Sequence, residues 1–518
     1  MSNLLFPRAL ILVLLFSSAV TSVRAGNAEH VVIIVWDGLR PDCINERDTP
    51  KLSELTRQGV FFKNHHAVYL SSTEVNAAAL ATGDFPYRNG ILGNREYRPE
   101  IDPLKPVEVD SAYVVRKGDE LTGGHYLPVP TLPEIVRAAG GSVAVVGNKP
   151  VPRLFDRNEP NSKGHDAASL MATLPTDAVK RIAKSNREIP ADSTPQGKLD
   201  AMATRALVFG LWGEAVPKLS LLWLSEPDMS QHQFGPGSKE ARTAIQNCDA
   251  SLGLVMSELT ARGLRSNTDV FVVSDHGFST INRTVAIPAL LRKVGFRAET
   301  EFQAPPTNGD IMVVNEGGSV LLCVIGHDEV VTRKLVEFFQ QQDFTGVLFT
   351  RQPMPGTFTL AQVKIDTAHA PDLVVSLKWS ADRNTAGLAG MLVVDGPATS
   401  YAARGGAHGS LSRFDMQNTL IAAGSDFRAG AHDDLPSSNA DLAPTILSVL
   451  GINPPQPMDG RVLSEEMPGG SVAWPPPTVS TLNSESRSAK SVWRQSLRLT
   501  QYGGTVYIDE GNGSVTPQ

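Results

Sequence analysis

Short apolar runs recur along the chain, and turn residues bound each of them. The five clearest are Val31–Trp36, Ser142–Gly147, Ser220–Leu224, Asp269–Val273 and Thr419–Ala423. Runs of this length without polar alternation are typical of parallel strands that are covered on both faces. We therefore predict that these five runs are strands of one buried sheet.

Segments with helical periodicity lie between these runs. The clearest are Thr49–Val60, Leu132–Ala139 and Glu240–Arg262. The third places Ile245, Leu252, Val255, Met256 and Leu259 on one apolar stripe before Gly263. Alternation of strands and helices predicts an α/β fold, with a central mostly parallel sheet sandwiched by helices. Ligands of such sheets bind at the carboxyl ends of the strands.

Polar residues with metal-binding chemistry follow several of these strands. Asp37 follows the first, Asp228 and His232 follow the third, and Asp275 with His276 follow the fourth. His408 lies in the glycine-rich loop Arg404–Gly409, before the fifth strand. A single Asp after a strand is most often a helix cap or a turn residue. Repetition on separate strands, together with imidazoles, instead favours a shared site.

Three aspartates and three histidines form a mixed nitrogen and oxygen ligand set. Such a set suits zinc first, with manganese or iron as substitutes. A catalytic zinc usually takes three protein ligands, so six side chains predict two ions. Two ions roughly 3.5–4 Å apart can stabilise both the attacking and the leaving oxygen of an in-line displacement at phosphorus.

A hydroxyl cluster, Ser71-Ser72-Thr73, precedes an alanine-rich helical run that reaches Thr82. One interpretation is a helix N-cap. The other is a nucleophile, because the helix dipole and a bound metal both stabilise an alkoxide. These residues alone leave both interpretations open.

Composition narrows the classes of protein further. The 518 residues carry 54 acidic and 47 basic side chains, for a net charge of −7. This acidic balance argues against nucleic-acid binding, and the ordinary apolar content excludes coiled-coil, collagen-like and largely disordered chains. Cys43, Cys248 and Cys323 are too few for a disulfide scaffold, and they lie outside the ligand set.

Residues 1–25 read as a signal peptide. Ala9–Val20 is an apolar run of 12 residues, and Val23-Arg24-Ala25 predicts cleavage after Ala25. The alternative is an uncleaved anchor. No later apolar run reaches about 18 residues, so we predict a periplasmic or secreted protein without a membrane span in the mature chain.

Domain boundaries follow from shifts in composition. We predict a catalytic domain over 26–465, with insertions around 278–309 and 330–400. Gly469–Pro477 is rich in glycine and proline, which is typical of a linker. Residues 466–518 are a tail of unknown role, with one hairpin predicted at Gly503–Asp509.

The motifs together resemble the alkaline phosphatase superfamily, and most closely its nucleotide pyrophosphatase/phosphodiesterase branch. The resemblance runs from Val31 to Arg461. Its motifs are Val31–Leu39, Thr73 through Ala81–Gly83, Gly90–Asn94, Glu226-Pro227-Asp228 with His232, Ser274–Gly277, Ala407–Gly409, Asp441–Leu447 and Met458–Arg461. Each motif is weak by itself, and their shared order makes the resemblance specific.

The resemblance implies a role for each residue of the set. One zinc would be held by Asp228, His232 and His408. The second would be held by Asp37, Asp275 and His276, with Thr73 as both ligand and nucleophile. Asn94 would donate to a phosphoryl oxygen. The expected reaction is hydrolysis of a phosphodiester or nucleotide pyrophosphate through a phospho-threonine intermediate, with net retention at phosphorus.

The sequence departs from the family pattern beside the nucleophile. Thr73-Glu74-Val75-Asn76 lacks the proline that the family commonly has after this threonine, so the backbone geometry there is an open question. Ser72 is the rival nucleophile. No sulfatase C/S-x-P-x-R motif occurs, which argues against a sulfatase. His65 and His66 match no ligand position, and we interpret them as structural.

The substrate is the least determined feature. Lys149 and Arg153 could hold the extra charge of a phosphomonoester, or they could be surface charges. A zinc-dependent phosphomonoesterase is therefore the main alternative, followed by a phosphonate hydrolase, and a non-catalytic member of the fold comes last. The aromatic residues that could stack a nucleobase, or could simply fill the core, are Trp36, Phe85, Tyr87 and Tyr97.

Overall fold

The computed structural model describes residues 26–157, 180, 182, 192–396, 405–470 and 474–518. The predicted signal peptide and its cleavage site after Ala25 lie outside the described residues. So do Arg404 of the glycine-rich loop and residues 471–473 of the predicted linker.

The helices and strands of the described residues are numbered in chain order. The strands are β1 (His30–Trp36), β2 (Val60–Phe62), β3 (His65–His66), β4 (Arg95–Glu96), β5 (Val107–Glu108), β6 (Val143–Gly147), β7 (Leu219–Leu224), β8 (Thr268–Val273), β9 (Ser279–Val285), β10 (Ala298–Glu299), β11 (Ile311–Asn315), β12 (Ser319–Val324), β13 (Thr345–Thr350), β14 (Phe358–Thr359), β15 (Leu373–Leu377), β16 (Trp379–Arg383), β17 (Ala389–Asp395), β18 (Gly406–Ala407), β19 (Leu420–Ala423), β20 (Ala431–Asp433), β21 (Ser437–Ser438), β22 (Thr478–Arg487), β23 (Ser491–Tyr502) and β24 (Thr505–Pro517). The helices are α1 (Pro50–Gln58), α2 (Thr73–Thr82), α3 (Pro86–Asn89), α4 (Ala112–Thr122), α5 (Leu132–Ala138), α6 (Pro195–Arg205), α7 (Asp228–Phe234), α8 (Lys239–Ala261), α9 (Ile287–Lys293), α10 (Glu329–Phe339), α11 (Arg413–Met416) and α12 (Leu442–Val449).

The central sheet has seven strands in the order β20-β2-β19-β8-β1-β7-β6. All five predicted strands belong to it. β6, β7, β1 and β8 are parallel, as predicted. The prediction was wrong for the fifth, because β19 is antiparallel to β8. The physical reason is that the loop with His408 lies at the carboxyl edge of the sheet. A short connection through α11 therefore starts β19 at that edge and sends it the opposite way.

Helices cover both faces of this sheet, which confirms the predicted α/β sandwich. Alternate residues of β1 face opposite sides, because side chains in a strand have a period of two. Val31, Ile33 and Val35 pack in one cluster with α2, α5 and α12. Val32 and Ile34 pack in the other, with α1, α6 and the apolar stripe of α8.

A second, six-stranded sheet lies beside the first, in the order β10-β11-β12-β15-β13-β14. One of its faces is covered by α9 and α10. The other packs toward the start of α2, where Tyr69, Leu70 and Val75 meet Met312 and Phe349. This sheet brings the turn between β11 and β12, residues 316–318, toward the edge of the central sheet.

Residues 478–517 form a three-stranded antiparallel sheet, β22-β23-β24. The turn between β23 and β24 falls at Gly503-Gly504, inside the predicted hairpin. The sheet packs against β13. Gln495 exchanges hydrogen bonds with the backbone of Leu348, and the fully buried Trp493 donates to the carbonyl of Gly356 at 2.9 Å.

In the described part of the chain, no helix combines the length and the apolar character that a membrane crossing requires.

Trp493→Ala tests whether the C-terminal sheet is part of the cooperative fold. Loss of a fully buried Trp leaves a cavity, so we expect the free energy of unfolding to fall by about 3–5 kcal/mol. Gln501→Ala is the control, because Gln501 is exposed on the same strand. This substitution should change the free energy of unfolding by at most about 0.5 kcal/mol. Urea denaturation of both variants measures the difference. Equal midpoints would contradict a cooperative role for this sheet.

Candidate active site

The six predicted ligands meet at the carboxyl edge of the central sheet. Asp37 follows β1, Asp228 begins α7 four residues after the end of β7, and Asp275-His276 follow β8. These three strands are parallel neighbours, so their ends lie side by side. His408 reaches the same edge from the loop after β18.

The ligand atoms form two overlapping groups. Those of Asp228, His232 and His408 lie within 4.8 Å of one another, and so do those of Asp37, Asp228 and His276. Asp228 Oδ1 is 3.2 Å from His232 Nε2 and 3.6 Å from His408 Nε2. His276 Nε2 is 3.3 Å from Asp275 Oδ2 and 3.6 Å from Asp37 Oδ1. The rings of His276 and His408 stack at 3.6 Å. The structure therefore brings all six side chains into one cluster.

The three imidazoles are oriented in the same way. Their Nδ1 atoms lie within hydrogen-bond distance of backbone carbonyls: His232 of Gly406 at 3.0 Å, His276 of Gly277 at 2.9 Å and His408 of Ser71 at 2.8 Å. Donation from Nδ1 fixes the tautomer and leaves the lone pair of Nε2 facing the carboxylates. This arrangement is typical of metal-ligating histidines.

The buried carboxylates have oxygens that the protein does not satisfy. Oδ1 of Asp37, Oδ1 of Asp228 and Oδ2 of Asp275 are buried without a hydrogen-bond partner. Buried polar atoms are nearly always paired, and an unpaired one requires an explanation. Three unpaired oxygens facing three imidazole lone pairs fit divalent cations that prefer mixed nitrogen and oxygen ligation.

The electrostatics of the cluster point the same way. Burial, reinforced by Asp275, raises the pKa of Asp37 to about 8, and burial raises the pKa of Asp275 to about 7. Burial also opposes ionisation of Asp228, but Lys149 and His232 outweigh it and hold that pKa well below its usual range. Burial lowers the pKa of His276 and of His408. Without added cations, the site therefore keeps protons on carboxylates that a metal would displace.

Local contacts explain how the two carboxylates Asp37 and Asp228 come together. Trp223 on β7 donates its indole N–H to Asp37 Oδ2 at 2.8 Å, and the Asp228 amide donates to the Asp37 carbonyl at 2.9 Å. Gly38 has a positive φ of 72°, and a Cβ there would lie 3.2 Å from the Cβ of Asp228. Glycine at this position permits the close approach of the two strand ends.

Thr73 is the hydroxyl that faces the ligands. It is the first residue of α2, and its Oγ1 is 3.2 Å from His276 Nε2. Ser72 is the N-cap residue, but its side chain makes no cap hydrogen bond. Ser71 donates instead to the carbonyl of Ser410. The geometry therefore favours Thr73 over Ser72 as the reactive hydroxyl.

Asn94 lies next to the start of α2. Its Oδ1 accepts the backbone N–H of Glu74 at 3.2 Å, so the amide NH₂ is the end available to a ligand. Its own backbone N–H donates to Glu316 Oε2 at 2.8 Å. Thr73 and Asn94 are therefore linked through the first turn of the helix, although no proline follows Thr73 in this segment.

The two candidate cations differ in position. The Lys149 side chain is only 18% exposed, and its Nζ lies 2.8 Å from Asp37 Oδ2 and 2.6 Å from Asp228 Oδ2. The interpretation of Lys149 as a surface charge was therefore wrong, because the buried carboxylates draw it inward. Arg153 donates instead to the carbonyl of Asp110.

The other residues considered from sequence have structural contacts. Trp36, Phe85 and Tyr97 are buried in apolar clusters, and the Tyr87 hydroxyl donates to Asp459. His65 lies within hydrogen-bond distance of Ser437 and Asn439, and His66 of Asp509. These contacts agree with structural roles for both histidines. All three thiols are free.

Sequence reasoning missed Trp223 and Glu316. Trp223 lies on a predicted strand, beside the strand that ends at Asp37, so register could have indicated it. Glu316 lies in a turn more than two hundred residues from Asn94, and no local pattern marks it.

Comparison with known proteins places this geometry in context. Residues 31–379 match the family described as type I phosphodiesterase / nucleotide pyrophosphatase. A venom phosphodiesterase of Crotalus durissus collilineatus is 24% identical over 274 residues, covering 51% of this chain and 28% of the relative. Ectonucleotide pyrophosphatase/phosphodiesterase family member 3 of Rattus norvegicus is 22% identical over 436 residues, covering 82% of this chain and 42% of the relative. The chain thus spans less than half the length of these relatives.

Solved structures share the fold. An inactive variant of murine ectonucleotide pyrophosphatase/phosphodiesterase 5, in complex with AMP, superposes with a TM-score of 0.61 at 15% identity. The match covers 85% of this chain and all of the other. This likeness confirms the alkaline phosphatase-like architecture.

We expect zinc binding to this cluster to release protons. The pKa of Asp37 in the folded protein, about 8, lies above the ordinary value, so near neutral pH a bound ion must displace its proton. The affinity of the cluster for zinc should accordingly fall as the pH falls below about 8. We expect about two zinc ions per chain, with release of roughly one proton at pH 7. Titration calorimetry in buffers of different ionisation enthalpy measures that number.

The control for zinc binding is His327→Ala, because His327 pairs with Asp372 outside the cluster. This variant should bind zinc as the wild type does, whereas His408→Ala should lose about one ion. A wild-type protein that cannot hold two zinc ions would contradict the predicted two-ion site. A binding enthalpy that is independent of the buffer would contradict the predicted proton release.

Proposed function

The chain belongs to the type I phosphodiesterase / nucleotide pyrophosphatase family, and from this membership we propose that it hydrolyses phosphodiester or nucleotide pyrophosphate bonds through Thr73. The observation that carries the proposal is the position of Thr73 Oγ1, 3.2 Å from His276 Nε2 at the edge of a cluster of six potential metal ligands. A nucleophilic hydroxyl beside carboxylate and imidazole lone pairs that can bind divalent cations is the arrangement that metal-assisted phosphoryl transfer requires.

We assign two zinc ions to this cluster. Asp228, His232 and His408 would hold one, and Asp37, Asp275 and His276 would hold the other together with Thr73. Bound there, zinc supplies Lewis acidity, which lowers the pKa of a hydroxyl and neutralises charge on phosphoryl and leaving oxygens. The unsatisfied oxygens of the three aspartates support this assignment.

The residues of the chain then divide the reaction between them. Thr73 Oγ1 attacks phosphorus, the bond from phosphorus to the leaving oxygen breaks, and the hydroxyl proton passes to solvent. The Asn94 NH₂ group donates to a non-bridging oxygen, whose charge grows during the attack. Water then cleaves the phospho-threonine ester and regenerates Thr73. Two in-line displacements give net retention at phosphorus.

Nucleotides are the substrate class that the comparisons support. A relative from Pongo abelii, 22% identical over 279 residues, is named a bis(5'-adenosyl)-triphosphatase, and the murine structure contains AMP. We propose a nucleotide or a related small phosphate diester as the substrate of this chain. The venom enzymes among the relatives also fit the predicted export of the protein.

A zinc-dependent phosphomonoesterase is the second candidate, and the position of Lys149 favours it. A monoester carries one more negative charge than a diester, and a buried ammonium beside the cluster can match that charge. In the structure Lys149 bridges Asp37 and Asp228. With divalent ions bound to those carboxylates, the Lys149 ammonium group would be available to the charge of a substrate.

Thr73→Ala is the direct test of the nucleophile. We expect kcat for a nitrophenyl nucleoside phosphodiester to fall on the order of 10³-fold or more, because no hydroxyl remains to form the ester. Zinc content should stay near two ions per chain, since six other ligands persist. Thr73→Ser should keep part of the activity, and Ser72→Ala is the matched control with near-normal kcat. Wild-type activity in Thr73→Ala would exclude this nucleophile.

Lys149→Ala distinguishes the two candidate functions. If Lys149 binds the extra charge of a monoester, kcat/KM for nitrophenyl phosphate should fall roughly 10- to 100-fold, with a much smaller loss for the diester. Arg153→Ala is the control and should leave the ratio of the kcat/KM values for the two substrates unchanged. In the wild type, the ratio of kcat/KM for the diester to kcat/KM for nitrophenyl phosphate shows which candidate function is correct. A ratio well above one indicates a diesterase, and a ratio well below one indicates a monoesterase. An equal loss on both substrates would exclude Lys149 as the selectivity residue.

A further inference from the structure

The turn between β11 and β12 holds the backbone of Asn94. Glu316 in this turn is only 6% exposed. Its Oε2 accepts the N–H of Asn94 at 2.8 Å, and its Oε1 accepts the N–H of Arg95 at 2.9 Å. One carboxyl group therefore accepts hydrogen bonds from two successive amides of the segment that carries the phosphoryl-oxygen donor. Burial raises the pKa of Glu316 to about 8, and the hydrogen bonds from the two amides act against that rise because they favour the ionised form.

The same turn touches two other segments of the site. Gly318 donates its backbone N–H to the carbonyl of His408 at 2.8 Å. Ser319 begins β12 directly after this turn, and its Oγ lies 3.1 Å from the hydroxyl of Tyr69, four residues before Thr73. The turn and the first residue of β12 are thus a common contact for the segments that carry the nucleophile, a potential metal ligand and Asn94.

The contacts leave no spare room. A Cβ on Gly93 would lie 2.9 Å from the carboxyl carbon of Glu316. A Cβ on Gly409 would lie 2.2 Å from the Glu316 carbonyl oxygen. Glycines before Asn94 and after His408 therefore permit the turn to approach, which explains why both Gly-Asn and His-Gly occur in these motifs.

We propose that Glu316 is a positioning residue, which fixes Asn94 so that its NH₂ group points at a phosphoryl oxygen of the substrate. This inference rests on the proposed function for the role of Asn94. Asn94 is held at three points: its backbone N–H by Glu316, its Oδ1 by the N–H of Glu74, and its carbonyl by the N–H of Val109 at 3.2 Å. Loss of the Glu316 carboxyl group removes the acceptor of two successive amides, those of Asn94 and Arg95, and so loosens the segment on that side. A donor that swings freely loses most of its value to a transition state, because its orientation must then be recovered during the reaction.

A double-mutant cycle tests whether Glu316 acts through Asn94. We expect Glu316→Ala to lower kcat roughly 10-fold, with zinc content unchanged and KM little changed. Asn94→Ala should lower kcat by at least as much. The double variant should then be no slower than Asn94→Ala alone, because the group that Glu316 positions is already absent. Additive losses would overturn the proposal, since they would show that Glu316 acts independently of Asn94.

Two further variants separate positioning from general stability. Glu316→Gln keeps one acceptor oxygen and should restore part of the lost kcat. Asp372→Ala is the matched control, because Asp372 is a buried carboxylate that also accepts a backbone N–H in this sheet, from Val324 at 2.8 Å. It should lower stability while leaving kcat near the wild-type value. An equal loss of kcat in both alanine variants would mean that any weakening of the sheet lowers kcat. That result would contradict a positioning role for Glu316.

Hydrogen exchange of the zinc-loaded protein gives a readout that needs no turnover. Glu316→Ala should accelerate exchange at the Asn94 and Arg95 amides, and Asp372→Ala should not. If the wild type hydrolyses no phosphate ester, the proposed function fails, and exchange still shows whether Glu316 fixes this segment. Unchanged exchange at both amides would overturn the positioning role even in an active enzyme. If Glu316→Ala does not fold, Glu316→Gln takes its place in both measurements.

Discussion

The concentration of negative charge at one edge of the central sheet is the constraint on which the rest of the site depends. Asp37, Asp228 and Asp275 are all buried, and burial makes each charge costly. Ligand atoms of Asp37 and Asp228 lie within 4.8 Å of each other, and Asp275 shares His276 Nε2 with Asp37 at 3.3 and 3.6 Å. Lys149 offsets part of this charge, and two of the carboxylates hold their protons into the neutral range. Divalent cations that bound there would therefore have to displace protons. In the proposed reaction, cations held by these carboxylates would stabilise the Thr73 alkoxide.

Rigid contacts hold the ligands at this edge against their mutual repulsion. Each imidazole is fixed through its Nδ1 by a backbone carbonyl. Asp200 accepts the backbone N–H groups of Ser225 and Glu226, and so fixes the segment that leads into Asp228. The parallel strands beneath are buried on both faces and supply the stability that an arrangement of like charges lacks. The site is thus supported by apolar packing a few residues away from it.

Parts of the chain that look peripheral in sequence complete this arrangement. The six-stranded sheet delivers Glu316 and the backbone of Gly318 to two segments of the site. The C-terminal sheet packs on β13 of that same sheet, and His66 and Asp509 join it to the region before α2. Residues after 477 therefore support the second sheet, and the second sheet supports the site.

The sequence by itself determined the α/β class, four parallel strands, the main helices and the six potential ligands, because short-range patterns carry that information. A buried strand is a run of apolar residues, and a residue at its end lies at a known edge of the sheet. The tertiary structure alone decided three other matters. It reversed β19, because direction depends on where the preceding loop lies. It turned Lys149 inward, because the pull of Asp37 and Asp228 comes from strands distant in the chain. It placed Glu316 against Asn94 across 222 residues, a contact that only the packing of two sheets creates.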